Sequence, residues 1–285
     1  MEAIKLYKQL EKDFDLIHCQ DDWHTIDLNE FISANFKERY MGLMLDNARI
    51  ITNVFSIVFP SDEVIDKIIA ENKKECLIFS HHPVNWNINA DNPFIDIDKR
   101  LMKQLKECGI SLYVLHAPLD KNGRYSTSIS LAKALDITPE KDFLEYYGVS
   151  VGSIGSSKAK DIFELEKIAK KIIGPCVKKW NYGDPAIKNG KVAIIAGGGN
   201  IPEAIEAIHE NGINTFLTGI TRPSKDFLPA LKAHEMARRY KINIIGGTHY
   251  GTERFASQAM CQYFDSLGLP CIFVAGKCDK NDLDY

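Results

Sequence analysis

The stretch that decides the fold is an apolar run ending in two adjacent histidines: Cys76-Leu77-Ile78-Phe79-Ser80-His81-His82-Pro83. Such a run, followed by polar residues and proline, is typical of a buried strand that enters a loop. In α/β sheets, loops at strand ends are where ligands bind. Neutral imidazole binds first-row metals, and neighbouring side chains diverge along an extended backbone, so the pair suits two ions better than one. A polar loop with two solvated histidines is the alternative interpretation.

A second apolar run, residues 111–115, leads in the same way into a segment that contains His116 and Asp120. Pro118 lies between these two residues and favours a loop here. The sequence therefore predicts a second strand that is followed by a histidine and a carboxylate.

A third apolar segment, residues 242–248, is followed directly by His249. Glu253 lies four residues later, at the start of an amphipathic stretch. If Gly251 and Thr252 open a helix, this spacing places the imidazole and the carboxylate near one another at its N-terminal end. Both side chains could then reach one ion.

Four of the eight histidines thus follow predicted strands, and two of the three clusters add a carboxylate. Mixed histidine and carboxylate sets suit Zn, Mn, Fe, Co or Ni, and carboxylates can bridge two cations about 3.5–4 Å apart in hydrolytic sites. The sequence therefore predicts a dinuclear metal site. The other four histidines have helical or polar contexts and are predicted to be surface or packing residues: His18, His24, His209 and His234.

Three segments resemble the signature segments of the NIF-three-like family, whose members are named GTP cyclohydrolase I type 2 homologues. These segments are residues 79–86, 116–120 and 246–253. Gly42-Leu43 resembles the early Gly-Leu element of the family, and residues 192–199 resemble its central strand and glycine turn. The length matches the short form of the family, which lacks an inserted domain.

The resemblance implies a set of ligands for two divalent metal ions in a cleft between two α/β lobes: His81, His82, Asp120, His249 and Glu253. It places His116 beside them as an outer ligand or as a proton-transfer group. Glu253 and His116 are the predicted catalytic residues. The resemblance also implies a homohexamer whose metal sites face an internal cavity.

Two departures from the family pattern bear on substrate recognition. Thr218-Gly219 is followed by Ile220, where the family often has an acidic residue. Phe59 and its neighbours occupy the position at the end of the first core strand where an aspartate is common. Neither departure removes a predicted metal ligand.

Composition agrees with a folded protein of two lobes. A chain of 285 residues, 45% hydrophobic and 26% charged, can bury two modest cores. We predict an α/β fold with mixed sheets flanked by helices, divided into lobes 1–145 and 146–285, which can be interlinked. The formal net charge of −3 argues against nucleic acid as a partner. A small molecule is the expected partner.

The cysteines and the N-terminal segment predict a cytoplasmic protein. The seven cysteines are odd in number and show no Cys-x-x-Cys spacing, which favours a reducing compartment. The first residues contain early acidic groups rather than a basic segment and a long apolar core, so no secretory signal is predicted. No apolar run approaches the roughly 20 residues that a membrane-spanning helix needs.

The periodicity predicts alternating strands and helices along the chain. Strands are predicted near 51–58, 76–80, 111–115, 148–158, 191–196, 214–218, 242–247 and 271–274. Helices are predicted around Leu6 and Leu10 and near 62–71, 97–107, 127–135, 201–210, 225–239 and 253–265.

The functional hypothesis is a dinuclear metal-dependent hydrolase that acts on a nucleotide or a small phosphorylated or heterocyclic compound. If the resemblance extends to the reaction, it opens the imidazole ring of GTP and releases formate; phosphoester hydrolysis is equally compatible with the ligands. The alternative is a metal-binding adaptor or regulatory protein whose ions are structural or recruit a ligand. An NAD-dependent oxidoreductase ranks third because the glycine fingerprint and its acidic partner are missing.

Overall fold

A computed structural model describes residues 1–23, 30–146, 148–225 and 227–284. These residues form two compact units that alternate along the chain. The first unit contains Met1–Leu119, Ser257–Gly276 and a short segment ending at Val149. The second contains Asp120–Tyr146, Ser150–Ala256 and the residues from Lys277 onward. Both units combine mixed sheets with helices, so the predicted α/β class is confirmed.

The elements of the described residues are numbered along the chain. The strands are β1 (Gly42–Leu45), β2 (Asn53–Ile57), β3 (Cys76–Ser80), β4 (Asn85–Trp86), β5 (Phe94–Ile95), β6 (Ile110–Val114), β7 (Thr138–Tyr146), β8 (Val149–Ser156), β9 (Lys178–Trp180), β10 (Lys191–Ile195), β11 (Thr215–Thr218), β12 (Asn243–Gly246) and β13 (Cys271–Phe273). The α-helices are α1 (Ala3–Asp13), α2 (Ala34–Arg39), α3 (Asp62–Ala70), α4 (Lys99–Glu107), α5 (Ala117–Asp120), α6 (Thr127–Ala134), α7 (Ile162–Ile172), α8 (Pro202–Glu210), α9 (Leu228–Tyr240) and α10 (His249–Ser266).

The sheet of the first unit has the order β1-β6-β3-β2-β13. Strands β13, β2, β3 and β6 run parallel to one another, and β1 pairs antiparallel with β6. Strand β3 is buried along its whole length, which explains why its sequence is a continuous apolar run rather than an alternating one. The parallel pairs place the carboxyl ends of β3 and β6 at the same edge of the sheet.

The first sheet is covered on both faces. Alternate residues such as Ile57, Ile78 and Leu112 share one apolar cluster with buried side chains of α3 and α4. On the opposite face, Phe79 packs edge to face against Phe264 of α10, with ring centroids 5.4 Å apart. The amphipathic helices that the sequence predicted at 62–71 and 97–107 therefore cover one side of this sheet.

The sheet of the second unit has the order β7-β8-β10-β11-β12-β9, with β10, β11 and β12 parallel. Successive residues of β10 point to opposite faces. Val192 and Ile194 belong to a cluster with residues of α6 and α7. Ala193 and Ile195 belong to another cluster, with residues of α8 and α9. The second unit is thus a sheet between two helical layers.

The units divide the chain differently from a single boundary between residues 145 and 146. Leu131 and Leu135 of α6 pack in the same cluster as Val192, so the chain from Asp120 onward is built into the second unit. Strand β13 pairs with β2, which places Ser257–Gly276 in the first unit. Long-range strand pairing and helix packing set these divisions, and neither leaves a local signal in the sequence.

Two predicted boundaries next to candidate ligands are wrong. Helix α10 begins at His249 rather than near residue 253, so His249 lies in its first turn. The segment after His116 is a single helical turn, α5, rather than an open loop. The amide of Leu119 donates to the carbonyl of His116 at 2.9 Å, which closes this turn.

None of the helices in the described part of the chain is both long enough and apolar enough to cross a membrane.

The centre of the first sheet should tolerate little change. Replacing Ile78 with alanine should lower the free energy of unfolding by about 2–5 kcal/mol, because its side chain is fully buried between β2 and β6. Ile272→Ala is the matched control, since that strand residue is 45% exposed and should change stability by less than about 1 kcal/mol. Urea denaturation followed by circular dichroism measures both; equal losses would contradict the assigned core.

Candidate metal centre

The adjacent histidines are fixed by backbone hydrogen bonds where β3 leaves the sheet. The amide of His81 donates to the carbonyl of Ile57 at 3.2 Å, and that of His82 donates to the carbonyl of Val58 at 2.9 Å. The hydroxyl of Ser80 donates to the carbonyl of His82 at 2.6 Å. The side chains of both histidines are almost fully buried. The solvated polar loop considered above is therefore not what this segment forms.

His116 joins this pair through the register of the parallel strands. Ser80 is opposite Val114, and the amide of Leu115 donates to the carbonyl of Ser80 at 3.0 Å. The ring centroids of the three histidines are 4.4–5.1 Å apart. Each histidine offers one ring nitrogen within 4.8 Å of those of the other two, and all three are buried. The first unit alone therefore brings together three imidazoles that could hold a metal ion.

Hydrogen bonds set the tautomers of two of these rings. Nδ1 of His81 lies 2.9 Å from the carbonyl oxygen of Leu115, which can only accept a hydrogen bond. Nδ1 therefore donates, and the lone pair of His81 is on Nε2. Nδ1 of His116 lies 2.9 Å from a carboxylate oxygen of Asp21. A backbone carbonyl or a carboxylate on the other ring nitrogen is the usual support of a metal-binding histidine.

Asp21 is a component that the sequence analysis did not single out. Its side chain is 1% exposed, and the amide of Ala117 donates to the same oxygen that contacts His116. Burial by itself raises the pKa of Asp21, but the charge of His116 and the hydrogen bonds from His116 and the backbone outweigh it, so the pKa is lowered. The carboxylate therefore stays ionised and orients the ring of His116. It lies 95 residues away in the chain, so no local motif marks it.

Aromatic rings enclose the same cluster. Trp23 packs edge on against His116 and His82, with centroids 5.0 and 6.0 Å apart. Phe59 stacks on His82 at 4.3 Å with an interplanar angle of 15°. The residue at the position where the family often has aspartate thus supplies an apolar face to a candidate ligand. The rings restrict the orientation of the imidazoles and exclude water from them.

In the second unit, the first turn of α10 carries the other predicted pair. Nε2 of His249 lies 3.1 Å from Oε1 of Glu253, and both side chains are buried. The four-residue spacing therefore places them side by side, as predicted. A buried imidazole and carboxylate at a helix N-terminus make a donor set suited to a divalent first-row metal.

The start of α10 is held by two further groups. Thr248 adopts a left-handed conformation with φ of 66°, and its hydroxyl accepts the amide of Gly251 at 3.0 Å. The buried carboxylate of Asp282 accepts the amide of His249 at 2.8 Å. A threonine cap and a carboxylate satisfy amides that have no partner within the helix, and negative charge is favourable there. Asp282 is a second residue missed by sequence analysis, because only the tertiary fold brings it to His249.

Gly197 makes room for Glu253. Its φ is 73°, and a Cβ atom built on it would lie 2.1 Å from Oε1 of Glu253 and 3.3 Å from the ring of His249. The amide of Gly197 donates to the hydroxyl of Thr252 at 2.9 Å. The Gly-Gly-Gly turn after β10 therefore acts as a cradle for the carboxylate, which explains a glycine run that lacks the spacing of a dinucleotide-binding loop.

Asp120 belongs to the second unit and accepts a 2.6 Å hydrogen bond from the hydroxyl of Thr127. Within the described residues of the first unit, the third imidazole beside His81 and His82 comes from His116. The position of His116 therefore suits the role of a metal ligand as well as that of a proton-transfer group.

The remaining histidines have ordinary surroundings where they are described. His18 is exposed next to Asp15, and His209 stacks on Tyr240. His234 is buried, with Nε2 donating to the carbonyl of Thr221. His24 lies outside the described residues.

The residues present fit the divalent metals that the sequence predicted. Three buried imidazoles with supported tautomers lie in the first unit, and a buried imidazole–carboxylate pair lies in the second. Such donor sets belong to open sites for Zn, Mn, Fe, Co or Ni rather than to closed thiolate sites.

Comparison with known proteins identifies the same family that the three signature segments resemble. A family model described as Duf34/NIF3 (NGG1p interacting factor 3) matches residues 27–278. A GTP cyclohydrolase 1 type 2 homolog of Pyrococcus horikoshii is 28% identical over 255 residues, covering 87% of this chain and 94% of its own. A protein of the same name from Archaeoglobus fulgidus is 26% identical over 263 residues, covering 91% and 96%.

Solved structures share the fold. The protein ybgI, described as of unknown function, superposes with a TM-score of 0.76 at 19% identity, covering 98% of this chain and all of its own. Reduced HcgD from Methanocaldococcus jannaschii gives a TM-score of 0.67 at 21% identity, covering 97% and 98%. At these identities the likeness concerns the fold alone.

The glycine cradle can be tested directly. Gly197→Ala should displace the Glu253 carboxylate and lower metal affinity at least about 10-fold, as loss of supporting contacts does in metal sites. Gly198→Ala is the matched control, because the nearest atom to its added Cβ lies 4.0 Å away. Competition against a chromophoric chelator measures affinity, and circular dichroism checks folding. Equal metal affinity in the two variants would show that Glu253 does not need the space left by Gly197.

Proposed function

The chain belongs to the Duf34/NIF3 family, and from this membership we propose that it is a hydrolase that depends on two divalent metal ions. The family resemblance predicted from the three signature segments is confirmed. The observation that carries the proposal is the buried cluster of His81, His82 and His116, in which a carbonyl and a carboxylate orient two of the rings.

We propose that two divalent ions are held by the residues that the family resemblance implies. The residues that hold the ions are His81, His82, Asp120, His249 and Glu253, with His116 beside them. When bound, two such ions polarise the bond to be broken and lower the pKa of a bound water toward about 7. The protein contributes the positions of the ligands and a water-poor environment around them.

Two residues are suited to move a proton. Nδ1 of His116 is held by Asp21, so its Nε2 is the atom that either binds an ion as an outer ligand or, when it binds none, accepts and returns a proton. The ionised Asp21 stabilises the protonated ring and keeps it oriented. Glu253 has a carboxylate oxygen 3.1 Å from the imidazole of His249, so it can accept a proton and share it with that ring.

The proposed substrate is a nucleotide or another small phosphorylated or heterocyclic compound. Support comes from the relatives named GTP cyclohydrolase 1 type 2 homologs, which align over most of this chain. The corresponding reaction is hydrolytic opening of the GTP imidazole ring with release of formate. Phosphoester hydrolysis uses the same ligands, and a substrate screen decides between the two.

Partners and location complete the proposal. We propose a homohexamer on the basis of the family resemblance alone. We propose a small molecule as its partner, and the net charge of −3 argues against nucleic acid. We propose a cytoplasmic location, supported by the odd number of cysteines and by the lack of Cys-x-x-Cys spacing among them.

Metal content tests the ligand assignment. Protein purified without a chelator or a metal-capturing tag should contain two divalent ions per chain, and His82→Ala should lose at least one because it removes a ligand. His18→Ala is the control, since that side chain is 75% exposed and pairs with Asp15. Elemental analysis by mass spectrometry gives the stoichiometry. Full metal content in His82→Ala would remove this residue from the ligand set.

Turnover separates an enzyme from a metal-binding adaptor. Glu253→Gln keeps the size of the side chain but removes its charge, so hydrolysis by metal-replete protein should fall at least about 100-fold. Glu203→Gln, in the first turn of α8, is the control and should retain activity. Wild-type protein with two ions and no hydrolysis of nucleotides or phosphoesters would favour the adaptor. Unchanged turnover in Glu253→Gln would exclude this carboxylate from the reaction.

A further inference from the structure

Two cysteines of the first unit form a close pair that the proposed metal chemistry does not use. Cys261 lies in the C-terminal half of α10, and Cys271 is the first residue of β13. Their sulfur atoms are 3.2 Å apart, with the thiol of Cys271 donating to the sulfur of Cys261. Both residues are partly exposed, so a small reagent can reach them. Both cysteines are free thiols in this structure.

We propose that Cys261 and Cys271 are a reversible redox site that forms an intramolecular disulfide by exchange with a small-molecule disulfide such as oxidised glutathione. The inference is independent of the proposed hydrolase function. A disulfide bond is about 2.05 Å long, so the sulfurs must approach by only a little more than 1 Å.

A short ordered turn holds the two cysteines in position. Residues 267–270 connect α10 to β13, and Gly268 takes a φ of 75° within this turn. The amide of Gly268 donates to the carbonyl of Asp265 at 3.0 Å, and the amide of Cys271 donates to the carboxylate of Asp265 at 3.2 Å. Strand β13 is in turn fixed to β2 by parallel pairing. Both cysteines are therefore held in place before the disulfide forms. Forming it restricts the backbone little further, so the entropic cost is small.

The hydrogen bond between the thiols distinguishes their roles. Donation from Cys271 lowers the pKa of Cys261, against the opposing effects of burial and of Asp265. The same hydrogen bond, together with burial, raises the pKa of Cys271. The thiolate is the nucleophile in exchange, so Cys261 is the attacking residue and Cys271 the resolving one.

The exchange proceeds in two balanced steps. The thiolate of Cys261 attacks one sulfur of the small disulfide, whose S–S bond breaks and releases one small thiolate, which takes up the proton lost by Cys261. Cys271, as it loses its proton, then attacks the sulfur of Cys261 and releases the second small thiol. Two protein thiols are thus oxidised to one disulfide while the small disulfide is reduced to two thiols.

Proteolysis gives a direct assay of this reaction. Residues 255–277 contain no lysine or arginine before Lys277 and follow Arg254, so trypsin releases Phe255–Lys277 as one peptide with both cysteines. After treatment of the full chain with oxidised glutathione and alkylation, this peptide should be about 2 Da lighter than the fully reduced peptide and should carry no alkyl group. Further cleavage by chymotrypsin after Tyr263 or Phe264 should leave two fragments joined until dithiothreitol is added.

Serine variants supply the controls. Cys271→Ser should stop at the mixed disulfide on Cys261, whereas Cys261→Ser should take up less glutathione at Cys271. Cys108→Ser, outside the pair, should form the linked peptide as the wild type does. Circular dichroism confirms that each variant is folded. Independent glutathione adducts on both cysteines of the folded wild type, a link between two chains, or no reaction would each overturn the proposal.

Discussion

The parallel pairing of β3 with β6 is the constraint on which the candidate centre depends. The register places Ser80 opposite Val114, so the chain leaves both strands at the same edge of the sheet. His81 and His82 follow one strand and His116 follows the other, and their rings come within about 5 Å without any long loop. A shift of one residue in either strand would turn these side chains to the opposite face. The buried apolar runs that fix the register therefore also fix the distances between the candidate ligands.

The second unit reaches a comparable result with a helix N-terminus. Thr248 and Asp282 fix the first turn of α10, and the four-residue spacing then places Glu253 beside His249. Gly197 leaves the space that the carboxylate occupies. Backbone conformation, capping and the absence of one Cβ atom thus have separate effects on one side-chain pair. In both units the candidate ligands lie within or directly next to well-packed elements, and backbone hydrogen bonds fix the chain there.

Much of this arrangement could be predicted because its signals are local. The runs that became β3 and β6 identified His81, His82 and His116, and the spacing of His249 and Glu253 predicted their contact in one helical turn. The sequence predicts that α10 starts near residue 253, whereas it starts at His249. The cap at this end depends on the left-handed backbone of Thr248, which the sequence does not indicate. Asp21 and Asp282 could not be found from sequence, since they meet their partners only through tertiary packing. The interleaving of the two units has the same origin, because strand pairing joins segments more than 200 residues apart, such as β13 and β2.

The central claim is that the clustered imidazoles of the first unit form one metal site, and a double-mutant cycle tests it most directly. Mn²⁺ affinity is measured by calorimetry with a competing chelator for the wild type, His81→Ala, His82→Ala and the double variant. One shared site predicts that the double variant loses less binding free energy than the sum of the single losses, because either removal already breaks the site. Losses that add within about 0.5 kcal/mol would show independent sites and contradict the account.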